Sequence, residues 1–138
     1  MVLLKTFNEM ILFYHSHKSD EMKKWKGICL RMGIRVREIA PEQFHQPLGY
    51  LAGLSGFAAA EPVDPPKTFS EPMLVLKNFT SKRMDELFRQ AKKAGAPHIP
   101  LKAVLTEQNS TWDSVTLYQE LCKEHAAMQQ GNTIHPDN

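Results

Sequence analysis

Apolar and polar positions along the chain follow two periods, and their alternation sets out the secondary structure. Met10-Ile-Leu-Phe-Tyr-His15 is an unbroken run of mostly apolar, β-forming residues, the pattern of a strand buried on both faces. Ser19 then predicts a helix N-cap, with Asp20 and Glu21 placing negative charge at the positive end of the helix dipole. Met22, Trp25, Ile28, Cys29 and Met32 recur at intervals of three and four, so they share one helical face. Gly33 ends that helix, because a left-handed residue after the last turn costs glycine little. From Ile34 to Ala40 the period changes to two, as in a strand nearer a sheet edge, and Pro41 closes it. The product is one βαβ unit.

A second unit begins near Glu71. Met73–Leu76 predicts a strand, Thr80 or Ser81 a cap, and Met84, Leu87, Phe88, Ala91 and Ala94 a buried helical face that stops at Gly95. Leu101–Thr106 predicts the fourth strand. After the polar loop Glu107–Ser110, a last helix is capped by Thr111 or Ser110, with Asp113 in its first turn. Its inner face is Trp112, Val115, Tyr118, Leu121, Cys122, His125 and Met128. Glu9, Ser19, Met22 and Gly33 match Glu71, Ser81, Met84 and Gly95 at one constant offset, as duplication would produce. Shared capping and core positions in any two βαβ units would produce the same matches.

The expected fold is therefore α/β: one domain over residues 1–128, with about four mainly parallel strands from two βαβ units. Helices cover both faces, and a C-terminal helix is added. Residues 52–72, with Pro62, Pro65, Pro66, Pro72, Gly53 and Gly56, read as a linker-like crossing, and residues 129–138 as a flexible tail. Right-handed crossovers give a parallel order 2-1-3-4. In such a sheet a ligand binds beyond the carboxyl ends of the strands, where the order reverses.

Composition narrows the function only coarsely. The chain has 138 residues, 42% hydrophobic and 23% charged, near the globular average. Seventeen basic against fifteen acidic residues leave a net charge of +2, too balanced to name a polyanionic partner. Lys23, Lys24, Lys26, Arg31, Lys82, Arg83, Arg89, Lys92 and Lys93 lie on the helices without interleaved aromatics, so nucleic acid is not an expected partner. Met1–Tyr14 is interrupted by Lys5 and Glu9, unlike a signal peptide. The longest uncharged stretch, Gln43–Ala60, is too polar to span a membrane. Cys29 and Cys122 form no metal-type spacing and fall on apolar stripes, as buried thiols in a reducing cytoplasm would.

Two stretches are similar to a small bacterial, clostridial-type domain family of unknown function. The first is Gly33-Ile-Arg-Val-Arg followed by Pro41-Glu-Gln-Phe-His-Gln-Pro-Leu-Gly-Tyr-Leu-Ala-Gly53. The second is Ile99-Pro-Leu-Lys-Ala-Val-Leu-Thr106, with Trp112 and Leu117-Tyr-Gln-Glu-Leu-Cys-Lys-Glu-His125. The resemblance implies a cytoplasmic protein and supplies no catalytic residues.

The most suggestive chemical pair is His15-Ser-His17. A strand continued through it would aim both imidazoles to one side, as two metal ligands require, with Glu42, His45 or Glu107 to complete the set. Solvated loop histidines are the simpler reading, and no cofactor is expected. With Gln46, Asn78, Glu107 and Asn109 on other strand-end loops, His15 and His17 form a candidate set for hydrogen-bonding a small polar ligand. Caps and turns favour the same residue types. In Pro47–Gly56 the glycines lack the Lys-Ser or Lys-Thr of a phosphate loop and stand far from the first strand, so both nucleotide motifs fail. Either this segment packs on its own sheet, or Tyr50, Leu51, Leu54 and Phe57 form an apolar patch for a second copy or another protein. The leading expectation is a noncatalytic regulatory or interaction module, with a homodimer through this segment. The alternative is a ligand binder or metal-dependent enzyme at the strand ends.

Overall fold

A computed structural model describes the backbone of residues 8–134 and the side chains of residues 8–128. Met1–Phe7 and residues 135–138, the ends of the expected leaderless N-terminus and of the expected tail, lie outside the described residues. The elements run β1 (Met10–Tyr14), α1 (Lys23–Arg31), β2 (Arg35–Ile39), a 3-10 turn (Pro41–Gln43) and α2 (Leu48–Leu51). They continue with β3 (Met73–Lys77), α3 (Ser81–Ala94), β4 (Lys102–Val104), a second 3-10 turn (Asn109–Thr111) and α4 (Ser114–Ile134).

The four strands form one sheet in the order β2-β1-β3-β4, the expected order. Two of its three pairings, β1 with β2 and β3 with β4, are parallel. The central pairing is antiparallel: Met10 lies opposite Lys77 and Tyr14 opposite Met73. This corrects the expectation of a common direction. The connection over residues 40–72 leaves β2 beside Tyr14 and returns to the same edge at Met73, so β3 has to run back. Reversing the strand direction while also moving to the other side of β1 keeps a right-handed crossover on one face. Accordingly α1 and α3 pack against each other in one layer, where a doubly wound sheet would separate them.

Period two along β1 and β3 sorts the core into two layers. Ile11, Phe13, Leu74 and Leu76 meet Trp25, Ile28 and Cys29 of α1 and Leu87 and Ala91 of α3. Leu12, Tyr14, Met73 and Val75 face the other way, against Phe44, Leu48, Leu51 and Phe69 of the connection and Val115 and Leu117 of α4. The phenol of Tyr14 is buried there and bonds the hydroxyl of Ser114 at 2.6 Å. Arg37 and Lys77 rise from the same face to hold the last carbonyls of α2, donating to Leu51 O at 2.6 Å and Ala52 O at 2.9 Å. Gly49 is buried directly beneath the Phe57 ring, a contact that leaves no room for a Cβ atom. Leu48 and Leu51 of the Gly-rich segment thus pack on the protein's own sheet.

Local signals explain most element ends. Thr80 accepts the Arg83 N–H at 3.1 Å and caps α3, which closes on a left-handed Gly95. The Ser19 hydroxyl accepts the Met22 N–H, but residues 19–22 form tight turns before α1 begins. For α4 the cap is Asp113, whose Oδ1 accepts the Thr116 N–H at 2.8 Å; Ser110 and Thr111 belong to the separate 3-10 turn. The buried side of α4 ends near Cys122. His125 and Met128 are exposed, against the expected inner face, and the helix itself continues to Ile134. An ion pair joins the two βαβ units. Arg83 of α3 grips the buried Glu9 through two bonds of 2.7 Å and also donates to Met32 O, just after α1, at 2.8 Å.

Candidate functional site

The antiparallel centre divides the expected ligand cluster. His15 and His17 follow β1 at one edge of the sheet, whereas Asn78 follows β3 at the opposite edge and donates to Asn8 O at 3.0 Å. Glu107 and Asn109 follow β4, which is parallel to β3, and so leave the sheet at the edge of Asn78. A five-residue strand separates the two edges by about 16 Å. One small ligand cannot touch both groups. Asn109 is buried and ties the β4 loop, with Oδ1 accepting from Thr106 N at 2.8 Å and Nδ2 donating to Val104 O at 3.0 Å. Gln46 anchors the long connection by accepting the Ala60 N–H at 2.7 Å, and Glu107 is exposed.

At the Tyr14 edge, His15 takes a left-handed conformation (φ 59°) and stops the strand. The alternation that would aim both histidines the same way therefore ends before His17. Nε2 of His15 lies 2.6 Å from Phe69 O, and its ring meets Phe44 and Phe69 edge-on. Nε2 of His17 pairs with Glu38 Oε1 at 2.9 Å. The imidazoles are committed to different partners, and no group of three or more His, Cys, Asp or Glu among the described residues is placed to hold a metal.

Glu38 is the residue that sequence reasoning missed. On β2 it looks like an ordinary polar position of an edge strand. Beside His17 it accepts from Ser16 at 2.8 Å and from Lys26 of α1 at 2.6 Å. The Lys26 and Ser16 hydrogen bonds, in that order, hold its carboxyl below the usual range. Ser16, His17 and Glu38 line a cleft of about 290 Å³ with Phe13, His15, Ile39, Ala40 and Pro41. The arrangement can hydrogen-bond or ion-pair a small polar molecule. Behind it, Phe44, Phe69 and Tyr118 stack with centroids 4.6 and 4.4 Å apart, and the Tyr118 hydroxyl donates to Glu71.

The expected apolar patch is narrower than Tyr50, Leu51, Leu54 and Phe57. Leu51 has no exposed surface and belongs to the core, whereas Tyr50, Leu54 and Phe57 are half-buried. Cys29 and Cys122 pack in different layers and are unpaired; burial pushes the Cys29 thiol up to about 12.

Fold and site together define a small mixed α/β domain with a polar cleft at the carboxyl ends of β1 and β2. Residues 72–128, from the start of β3 through most of α4, match the family model described as a domain of unknown function (DUF3783). The match covers the second of the two stretches that resemble an uncharacterised family and does not reach the first. No curated protein and no solved structure matches the chain. No helix of the described residues is long and apolar enough to cross a membrane.

Proposed function

We propose that the chain is a noncatalytic regulatory or protein-interaction module of the bacterial cytoplasm, acting as a homodimer. The observation that carries this reading is the connection between β2 and β3. Its residues 58–68 are exposed throughout, and half-buried Tyr50, Leu54 and Phe57 stand at its base. Long connections without regular structure are uncommon inside compact domains and usually serve binding. The polar side chains of Gln46 and Asn109 are spent on holding such loops, which supports a structural use of them. Two unpaired cysteines in separate layers support a reducing compartment. Light scattering at micromolar concentration tests the dimer: the expected result is a dimer that Tyr50→Glu and Leu54→Glu convert to monomer. A monomeric parent with both variants unchanged would refute it.

A second reading is favoured by the clustering of Ser16, His17 and Lys26 on Glu38. It makes the cleft at the carboxyl ends of β1 and β2 the site of a ligand binder or a metal-dependent enzyme. Metal analysis of the purified protein and thermal shifts across a metabolite panel, repeated with His15→Ala and His17→Ala, test it. Absence of metal together with no shift in any condition would remove it.

A further inference from the structure

We infer that the cleft between α1, the C-terminal turn of α3 and the 96–99 loop binds a small amphipathic monocarboxylate, with an alkyl or aryl body and one anionic head. The cleft holds about 450 Å³, within the range of small-molecule sites, and is larger than the polar cleft beside Glu38. Its floor is apolar and rigid. Trp25, Ala91 and Ile99 are almost fully buried, and the indole N–H of Trp25 donates to Pro97 O at 2.9 Å, which fixes the loop. Phe88 forms a half-buried wall, set edge-on to Trp25 with centroids 6.3 Å apart.

The charges around this apolar floor have one sign. Lys92 and Lys102 line the cleft beside His98, and no carboxylate does. Among the described residues none of the three forms an ion pair. Lys102 is the central one. Its ammonium sits 5.5 Å from the centroid of Phe88 and donates to Ile99 O at 2.9 Å. That accounts for one of its three protons. Partial burial depresses its pKa, the mark of a cation short of compensation. An anion entering beside it restores that compensation, while an alkyl or aryl body covers Phe88 and Ile99. The C-terminus of α3 presents the negative end of its dipole near Lys92, so the head belongs on the Lys102 side of the cleft.

The test is a titration of the full chain with octanoate, followed by the indole N–H resonances in ¹H–¹⁵N spectra. Trp25 reports the cleft, and Trp112, packed on the opposite layer, is the internal control. The expected result is a saturable shift of Trp25 alone. Octylamine and inorganic phosphate should bind at least about tenfold more weakly, and Lys102→Gln should weaken octanoate by about tenfold. If Lys102→Gln disturbs folding, Phe88→Ala, which removes the half-buried wall that the body covers, serves instead, again with weaker binding expected. No saturable shift at millimolar octanoate, equal binding of octylamine or phosphate, or unchanged affinity in a folded variant would overturn the site.

Discussion

Removing Arg83 should destabilise the domain far more than removing its partner together with it. Glu9 keeps only 6% of its side chain in water, and Arg83 supplies two charge-assisted bonds of 2.7 Å to it. Truncating one partner of a buried ion pair costs about 3–5 kcal/mol, because the other charge is left without compensation. Arg83 itself retains 27% exposure, so water can reach part of the gap and the lower end, about 3 kcal/mol, applies. At about 2.1 cal/mol/K of unfolding entropy per residue, that loss lowers the melting temperature of a 138-residue chain by roughly 10 °C. Glu9→Leu alone should cost only about 1 kcal/mol, since the guanidinium keeps Met32 O and solvent. Glu9→Leu with Arg83→Met should return to within about 1 kcal/mol of the parent. Urea and thermal unfolding of the four proteins completes the cycle. A loss below about 1 kcal/mol in Arg83→Met, or a double variant as unstable as the sum of the singles, would refute the argument.

Two further outcomes follow from other contacts. Because the folded Glu38 carboxyl titrates below its unfolded value of 4.5, its contribution is present above that pH and is lost as pH falls through the lower folded value. With 37% of the side chain exposed, that contribution stays below about 1 kcal/mol, so the gap between the parent and Glu38→Gln should be small at pH 7 and shrink as the pH is lowered into the acid range; a gap independent of pH would contradict it. Gly49→Ala puts a Cβ 2.5 Å from the Phe57 ring and should cost about 1–3 kcal/mol in urea unfolding. In a Phe57→Ala background the same change should cost almost nothing, and an unchanged cost there would assign the loss elsewhere.

The histidine pair shows where a local pattern stops being informative. Spacing alone allows His15 and His17 to share a side, but only if the strand passes through them. The left-handed turn at His15 is stabilised by contacts with Phe44 and Phe69, residues 29 and 54 positions further on, which no window around His15 contains. Glu38 was illegible for the same reason: Ser16, His17 and Lys26 reach it only once α1 and β2 are folded beside β1. The cleft beside Lys102 likewise joins α1 to the loop before β4 through a contact from Trp25 to Pro97.

What the amino-acid sequence determined alone is the set of elements. Apolar period, capping threonine and left-handed glycine act over a few residues, so β1, α1, β2, β3 and α3 stand within a residue or a few of where their patterns put them. The strand order followed as well, since right-handed crossovers allow few alternatives. The direction of β3 did not. A strand buried on both faces reads the same in either direction, and a connection as long as residues 40–72 can return to either edge of the sheet. Packing of Phe44, Leu48, Leu51 and Phe69 onto one face chose the edge beside Tyr14, and with it which side chains could ever meet.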